Sequence, residues 1–190
     1  MEHESGTASG SASGAVVRPL VRGRRDGDLE DCVRALAEVH RRDGYPVNWP
    51  AEPAAWLSPP SLLAAWVAEL DGRVVGHIGL CGSGPGDAAP ALWGSRQGGE
   101  GGATAVVSRL FVAPVARGQG IGALLVRGAV QDARGRALQP VLDVVASDAA
   151  ALALYERLGW EALGTVEQRW GPGQTVAVRC FAAPPSASLD

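Results

Sequence analysis

Arg117-Gly118-Gln119-Gly120-Ile121-Gly122 sets three alternating glycines directly after an apolar stretch ending at Val112 and directly before an amphipathic one. Residues of these types at this spacing bind anions. Glycines let the backbone curl close to a ligand, and a helix starting in the curl aims free N–H groups and its positive dipole end at the bound group. A pyrophosphate suits such a turn. A nucleotide-hydrolase P-loop is excluded, because it requires Gly-Lys-Ser/Thr and all 17 basic residues of this chain are arginine. A dinucleotide fingerprint requires Gly-x-Gly-x-x-Gly, whereas these glycines run Gly-x-Gly-x-Gly, although Asp143 lies at an apt distance downstream. That alternative, half of an oxidoreductase, also expects an opening βαβ unit, which the sequence does not show.

The turn resembles the coenzyme A pyrophosphate loop of the GNAT superfamily of acyl-CoA N-acyltransferases, Arg/Gln-x-x-Gly-x-Gly/Ala, at Arg117, Gly120 and Gly122. The resemblance extends through the preceding strand Ser108-Arg109-Leu110-Phe111-Val112-Ala113-Pro114. It extends too through the later helix and turn, Ala151-Leu152-Ala153-Leu154-Tyr155-Glu156-Arg157-Leu158-Gly159-Trp160. It implies a mixed α/β fold whose mostly antiparallel central sheet is flanked by helices and whose splayed parallel strand pair holds the CoA. By the same resemblance, Leu110, Phe111 and Val112 contact pantetheine and polarise the acyl carbonyl through their backbone, while Arg117, Gly118, Gln119, Gly120, Ile121 and Gly122 hold the pyrophosphate. Acetyl-CoA is the implied co-substrate.

Acyl transfer from a thioester to an amine needs a neutral amine, a site for the developing oxyanion and a proton for the departing thiolate. Tyr155 matches the family's helix tyrosine, which donates that proton, although Ala151, Leu154, Tyr155 and Leu158 also form an apolar helix face on which a tyrosine merely packs. Asp148 stands where many members have an asparagine that donates to pantetheine; a carboxylate cannot donate, and helix capping competes with a CoA contact. A base is required because an alkyl amine with a pKa of about 10.4 is mostly protonated at neutral pH. Many members supply a glutamate at the place of Val106, and this chain has no acid there. His77, expected to face Ser108 across the sheet, is a candidate base or water-relay residue beside the plainer reading of a satisfied core histidine; Glu38 and His40 are further candidates.

The elements that must position these residues follow from pattern. Val16 to Val21 reads as a strand, and Asp28 caps a helix to about Arg42 with Leu29, Val33, Leu36, Ala37 and His40 at helical spacing. Tyr45 to Pro50 is a rigid aromatic loop before a short helical piece near Ala54, a region that borders the acceptor pocket in the family. Ala65–Leu70 and Arg73–Cys81 flank Asp71-Gly72, a two-residue hairpin signal. Gly82 to Gly102 is dense in Gly, Pro and Ala and reads as a mobile insertion over 83–102. A strand from Thr104, the glycine turn, a helix with Ile121, Leu124, Leu125, Gly128 and Ala129 on one face, and a strand from Pro140 to Ala146 come next. A helix from Asp148 to Leu158 and strands at Ala162–Trp170 and Gln174–Ala182 complete the order.

One acyltransferase domain over residues 15–183 is expected from a chain of 190 residues with 46% hydrophobic content, flanked by disordered tails at 1–14 and 184–190. A net charge of -3 with scattered arginines argues against nucleic-acid binding and favours cationic substrates. Cys32, Cys81 and Cys180 form no Cys-x-x-Cys pair and, with three histidines, no metal spacing, so no metal is expected and a reducing cytoplasm fits. No apolar run approaches the roughly 20 residues that span a bilayer. The reading is an N-acetyltransferase that moves an acetyl group from acetyl-CoA to a primary amine of a small molecule or peptide, by direct transfer in a ternary complex. A non-catalytic acyl-CoA-binding sensor or interaction module is the alternative. The resemblance also allows a homodimer.

Overall fold

The computed structural model describes residues 18–99 and 102–185. The N-terminal tail, Val16 and Val17 of the expected first strand, residues 100 and 101 of the expected insertion, and residues 186–190 lie outside them. The described strand β1 spans Leu20–Gly23, followed by helix α1 (Leu29–Asp43) and the short helix α2 (Pro53–Trp56). Strands β2 (Leu62–Leu70) and β3 (Arg73–Gly82) form the hairpin anticipated at Asp71-Gly72, where φ is +51° and +72°, as a tight turn between twisted strands requires. Strand β4 (Thr104–Val112), helix α4 (Ile121–Gly135), strand β5 (Gln139–Val145), helix α5 (Ala149–Arg157) and the hairpin β6 (Glu161–Gly171) and β7 (Gln174–Ala182) complete the chain after helix α3, whose range is given below.

Two expectations are corrected. The segment 83–102 is not one irregular insertion, because it contains helix α3 (Ala88–Arg96), whose Ala89 and Leu92 pack on Val141, Val178 and Cys180 of the sheet. Its Gly and Pro content hid a face built from alanines and one Leu-Trp pair. The C-terminal tail does not begin at Pro184, which is buried and whose carbonyl accepts a hydrogen bond from Arg134.

The seven strands form one sheet in the order β1-β2-β3-β4-β5-β7-β6, antiparallel throughout except for β4 and β5. Cys32, Leu36 and Val39 of α1 cover one face with Val67 and Phe111, so the buried stripe of α1 lies to one side of the expected Ala37 and His40. Ile121, Leu125, Ala129 and Val130 of α4 pack on the other face with Ile78, Leu80 and Phe181, while the expected core residue Leu124 is exposed. The parallel contact is short. Thr104, Ala105 and Val106 pair with Gln139, Pro140 and Val141, and beyond Val106 the two strands diverge.

A bulge in β4 sets which way the residues beyond it face. Gly79 pairs with Ser108 but His77 pairs with Phe111, so β4 carries one residue more than β3 opposite Ile78. Arg109 at this point has φ +54°, a left-handed conformation that costs a non-glycine residue about 1 kcal/mol or more. The extra residue reverses the alternation. Ala105 and Val107 face the α4 side, yet after the bulge Phe111 faces α1 while Leu110 and Val112 turn to α4.

Candidate active site

The divergence of β4 from β5 opens two adjoining cavities, of about 770 and about 580 Å³, which share Tyr45, Val47, Leu110, Val145, Asp148 and Ala151 as walls. The larger runs from the end of α1 past Val112 and the glycine turn to the start of α5. The smaller takes Tyr155 from the α5 side and Asp143, Ser108 and Arg109 from the strands, so it occupies the gap in the sheet itself.

The glycine turn forms as its residues require. Gly118 and Gly120 have φ of +78° and +74°, and Gly120 is the residue from which α4 starts. Gly122 is needed for closeness instead, since a Cβ there would lie 3.3 Å from Leu154 Cδ2 on α5. Gly118, Gly120, Ile121 and Gly122 all line the larger cavity, whereas Gln119 does not. Arg117 also lines it, and its guanidinium is ion-paired with Asp43 at the end of α1, which holds that carboxyl below its usual pKa. Nε of Arg117 donates to the Val112 carbonyl at 3.2 Å.

Backbone orientation at the end of β4 is set by one hydrogen bond. Ala113 N–H donates to Val75 O at 2.7 Å, so by strand alternation the N–H of Val112 points away from β3 and into the gap. Leu110 and Phe111 line the same cavity, with the Phe111 ring stacked on His77 beneath it. Asp148 serves as the N-cap of α5, its Oδ1 accepting from Ala151 N at 3.0 Å, and it also borders both cavities.

Tyr155 is buried against Trp160 and Phe181, yet its side chain forms part of the smaller cavity's wall and makes no hydrogen bond to the described residues. Burial raises its pKa, which keeps the phenol protonated and able to donate. Asp143 projects into the same cavity from β5. Gln168 Nε2 donates to its Oδ2 at 3.1 Å, and Trp170 Nε1 in turn donates to Gln168 Oε1 at 2.9 Å. Asp143 is itself exposed, and partial desolvation by the surrounding cavity wall raises its pKa against the opposing Gln168 bond.

His77 is placed differently from expectation. It does not face Ser108, which pairs with Gly79; the bulge moves its partner by one residue, from Leu110 to Phe111, and it lines neither cavity. Both ring nitrogens are engaged. Since a carbonyl only accepts, Nδ1–H donates to Arg109 O at 3.0 Å, and Nε2 accepts from Arg24 Nη1 at 3.1 Å. Burial pushes its pKa down to about 4, so the ring is a neutral structural post. His40 is likewise engaged, with Nδ1 2.9 Å from the Pro46 carbonyl oxygen, and neither it nor Glu38 reaches a cavity. The cysteines are buried, and burial raises the thiols of Cys32 and Cys180 to about 11.

Asp143 was not among the expected site residues, although an acid interrupting the apolar run Val141-Leu142-Asp143-Val144-Val145 marked it. Arg109 carried no comparable signal, because its exposure to the cavity depends on the bulge. Among the described residues no three His, Cys, Asp or Glu side chains cluster as a metal site, and no helix is long and apolar enough to cross a membrane.

The split parallel pair thus lies beside a glycine turn that opens a helix, in a mixed sheet. The model of the acetyltransferase (GNAT) family matches residues 30–160, more than half of the chain, and the protein belongs to that family. No curated protein sequence matches it significantly. Among solved structures it is similar to the ribosomal-protein-S18-alanine N-acetyltransferase of Escherichia coli, at 17% identity and TM-score 0.63 over 87% of this chain and 93% of that one. It is also similar to the ribosomal-protein-alanine N-acetyltransferase of Brucella melitensis, at 24% identity and TM-score 0.60 over 85% and 98%. Arabidopsis thaliana NAA60 in complex with acetyl-CoA matches at 19% identity and TM-score 0.60 over 86% and 98%. These identities speak for the shared fold.

Proposed function

We propose that the protein transfers an acetyl group from acetyl-CoA to a primary amine by direct attack within a ternary complex. The observation that carries this reading is the meeting of Asp143 and Tyr155 in one cavity that adjoins the cavity of the glycine turn. Asp143 accepts a proton from the acceptor's ammonium group, and the neutral amine forms the new C–N bond at the thioester carbonyl. Val112 N–H donates to the oxygen on which negative charge develops. As the C–S bond breaks, the hydroxyl of Tyr155 gives its proton to the thiolate and takes up the second proton released by the attacking nitrogen, so the products are an N-acetylated amine and free CoA. Asp148 acts as the cap of α5, and the turn from Arg117 to Gly122 receives the pyrophosphate. His77 is assigned the support of the bulge and no proton transfer. The test is free-thiol release from acetyl-CoA across a panel of amines, amino acids and short peptides. Amine-dependent release is expected; acetyl-CoA binding without release under any acceptor would leave a binding module.

A further inference from the structure

The acceptor cavity is lined by a cation, Arg109, that no carboxylate of the described residues pairs with. Arg109 lines it together with Ser108, Trp56 and Tyr45. Its Nη1 donates to Ser108 Oγ at 3.0 Å and to Cys81 Sγ at 3.6 Å, and its guanidinium lies over the Trp56 ring at 5.0 Å. Unlike the unpaired arginines at the surface, it lines this cavity. Its Nε is buried without an acceptor, an expensive state for a charged group. The backbone beneath it is strained at φ +54° and held from below by His77. Strain of this kind persists where the surroundings enforce it, and here it brings a guanidinium to the wall of a cavity.

Resting on the transfer reading above, we propose that Arg109 selects the acceptor by binding its carboxylate, so that the natural acceptor is a free amino acid. Nη2, which is neither bonded to the described residues nor among the buried unpartnered atoms, is the guanidinium nitrogen left to donate a charge-assisted hydrogen bond to a carboxylate. Asp143 stands on the other diverging strand of the same cavity, where it receives the ammonium group. A zwitterion thus meets one fixed charge of opposite sign at each end. Tyr45, Trp56 and Trp170 give the cavity aromatic walls that accommodate an apolar side chain.

The test compares phenylalanine, tryptophan and leucine with their carboxamides and with the corresponding decarboxylated amines, by thiol release from acetyl-CoA and by calorimetric titration into the CoA-loaded protein. The wild type is expected to favour the acids by about 10- to 100-fold in kcat/KM, the range set by hydrogen bonds to a charged group. Arg109→Gln brings the acid-to-amide ratio close to one, and Arg109→Lys restores part of it, with melting curves confirming that both variants fold. Amides or carboxyl-blocked peptides processed as well as the free acids would overturn the assignment, as would an Arg109→Gln variant that keeps the wild-type ratio. If the acids bind in an Arg109-dependent manner but no thiol is released, the acceptor class stands and the transfer reading falls. If they neither bind nor react, the assignment of Arg109 fails, whatever happens with other amines.

Discussion

Nδ1 of His77 lies 3.0 Å from the carbonyl oxygen of Arg109, so a buried imidazole on β3 supports the residue at which β4 bulges. Nδ1 can donate in either protonation state, but Nε2 accepts from Arg24 only while the ring is neutral. A second proton would set an imidazolium against the Arg24 guanidinium in a dry site.

This arrangement makes stability depend on pH. The folded-state pKa of His77 lies near 4, below the ordinary value of 6.5, so the unfolded chain binds a proton at a higher pH than the folded one. The stabilisation is complete above pH 6.5 and declines as pH falls towards 4, by on the order of 3 kcal/mol at most. Urea unfolding of the wild type should show this slope between pH 6.5 and 4. His77→Gln should lose stability at neutral pH and show a flatter dependence; an equal slope in both proteins would contradict the assignment.

Gly120→Val tests the glycine turn. A Cβ at Gly120 meets nothing within 4 Å, so the cost arises from φ +74°, at roughly 1–3 kcal/mol for a β-branched residue. The protein should still fold, melt at a lower temperature and lose measurable acetyl-CoA binding by calorimetry. Normal affinity in the variant would move the pyrophosphate elsewhere.

Asp143 and Tyr155 should separate kinetically. Asp143→Asn is expected to lower kcat/KM by about 100-fold and to remove the acid limb of the pH–rate profile, which partial desolvation of that carboxyl moves upward. Tyr155→Phe should lower kcat by about 10-fold or more with acetyl-CoA affinity nearly unchanged. Turnover unaffected by either change removes that residue from the chemistry.

Asp148 should behave as a cap. Asp148→Ala loses the bond to Ala151 N and about 1 kcal/mol of stability, whereas Asp148→Asn retains an acceptor oxygen and most of that stability. Thermal melting of the two variants decides it, and equal losses would show that the charge matters more than the cap.

Much of this site was legible in the sequence because it rests on local rules. Glycine spacing marks a turn that needs positive φ at Gly118 and Gly120, and the position of Tyr155 on a helix is set by the pattern around it. The features that escaped depended on strand pairing. The register sets Ser108 opposite Gly79 rather than His77, and a single inserted residue at Arg109 moves the partner of His77 on from Leu110 to Phe111 and turns the side chains beyond it to the opposite face, which no period-two reading of β4 anticipates. Helix α3 escaped for another reason: alanines that pack closely on the sheet look, by composition, like a loop.

Three residue pairs join β4 to β5, so the strands β1 to β4 and the strands β5 to β7 are two plates that meet along a short seam, with α4 packed across it. A molecule lodged in the opening touches both plates and acts as mortar between them. Substrate is then also a structural part of the protein, and the melting temperature should climb with its concentration as the ratio of free ligand to Kd rises. The amides of Leu110 to Val112 at the edge of the opening should be the first to slow their hydrogen exchange.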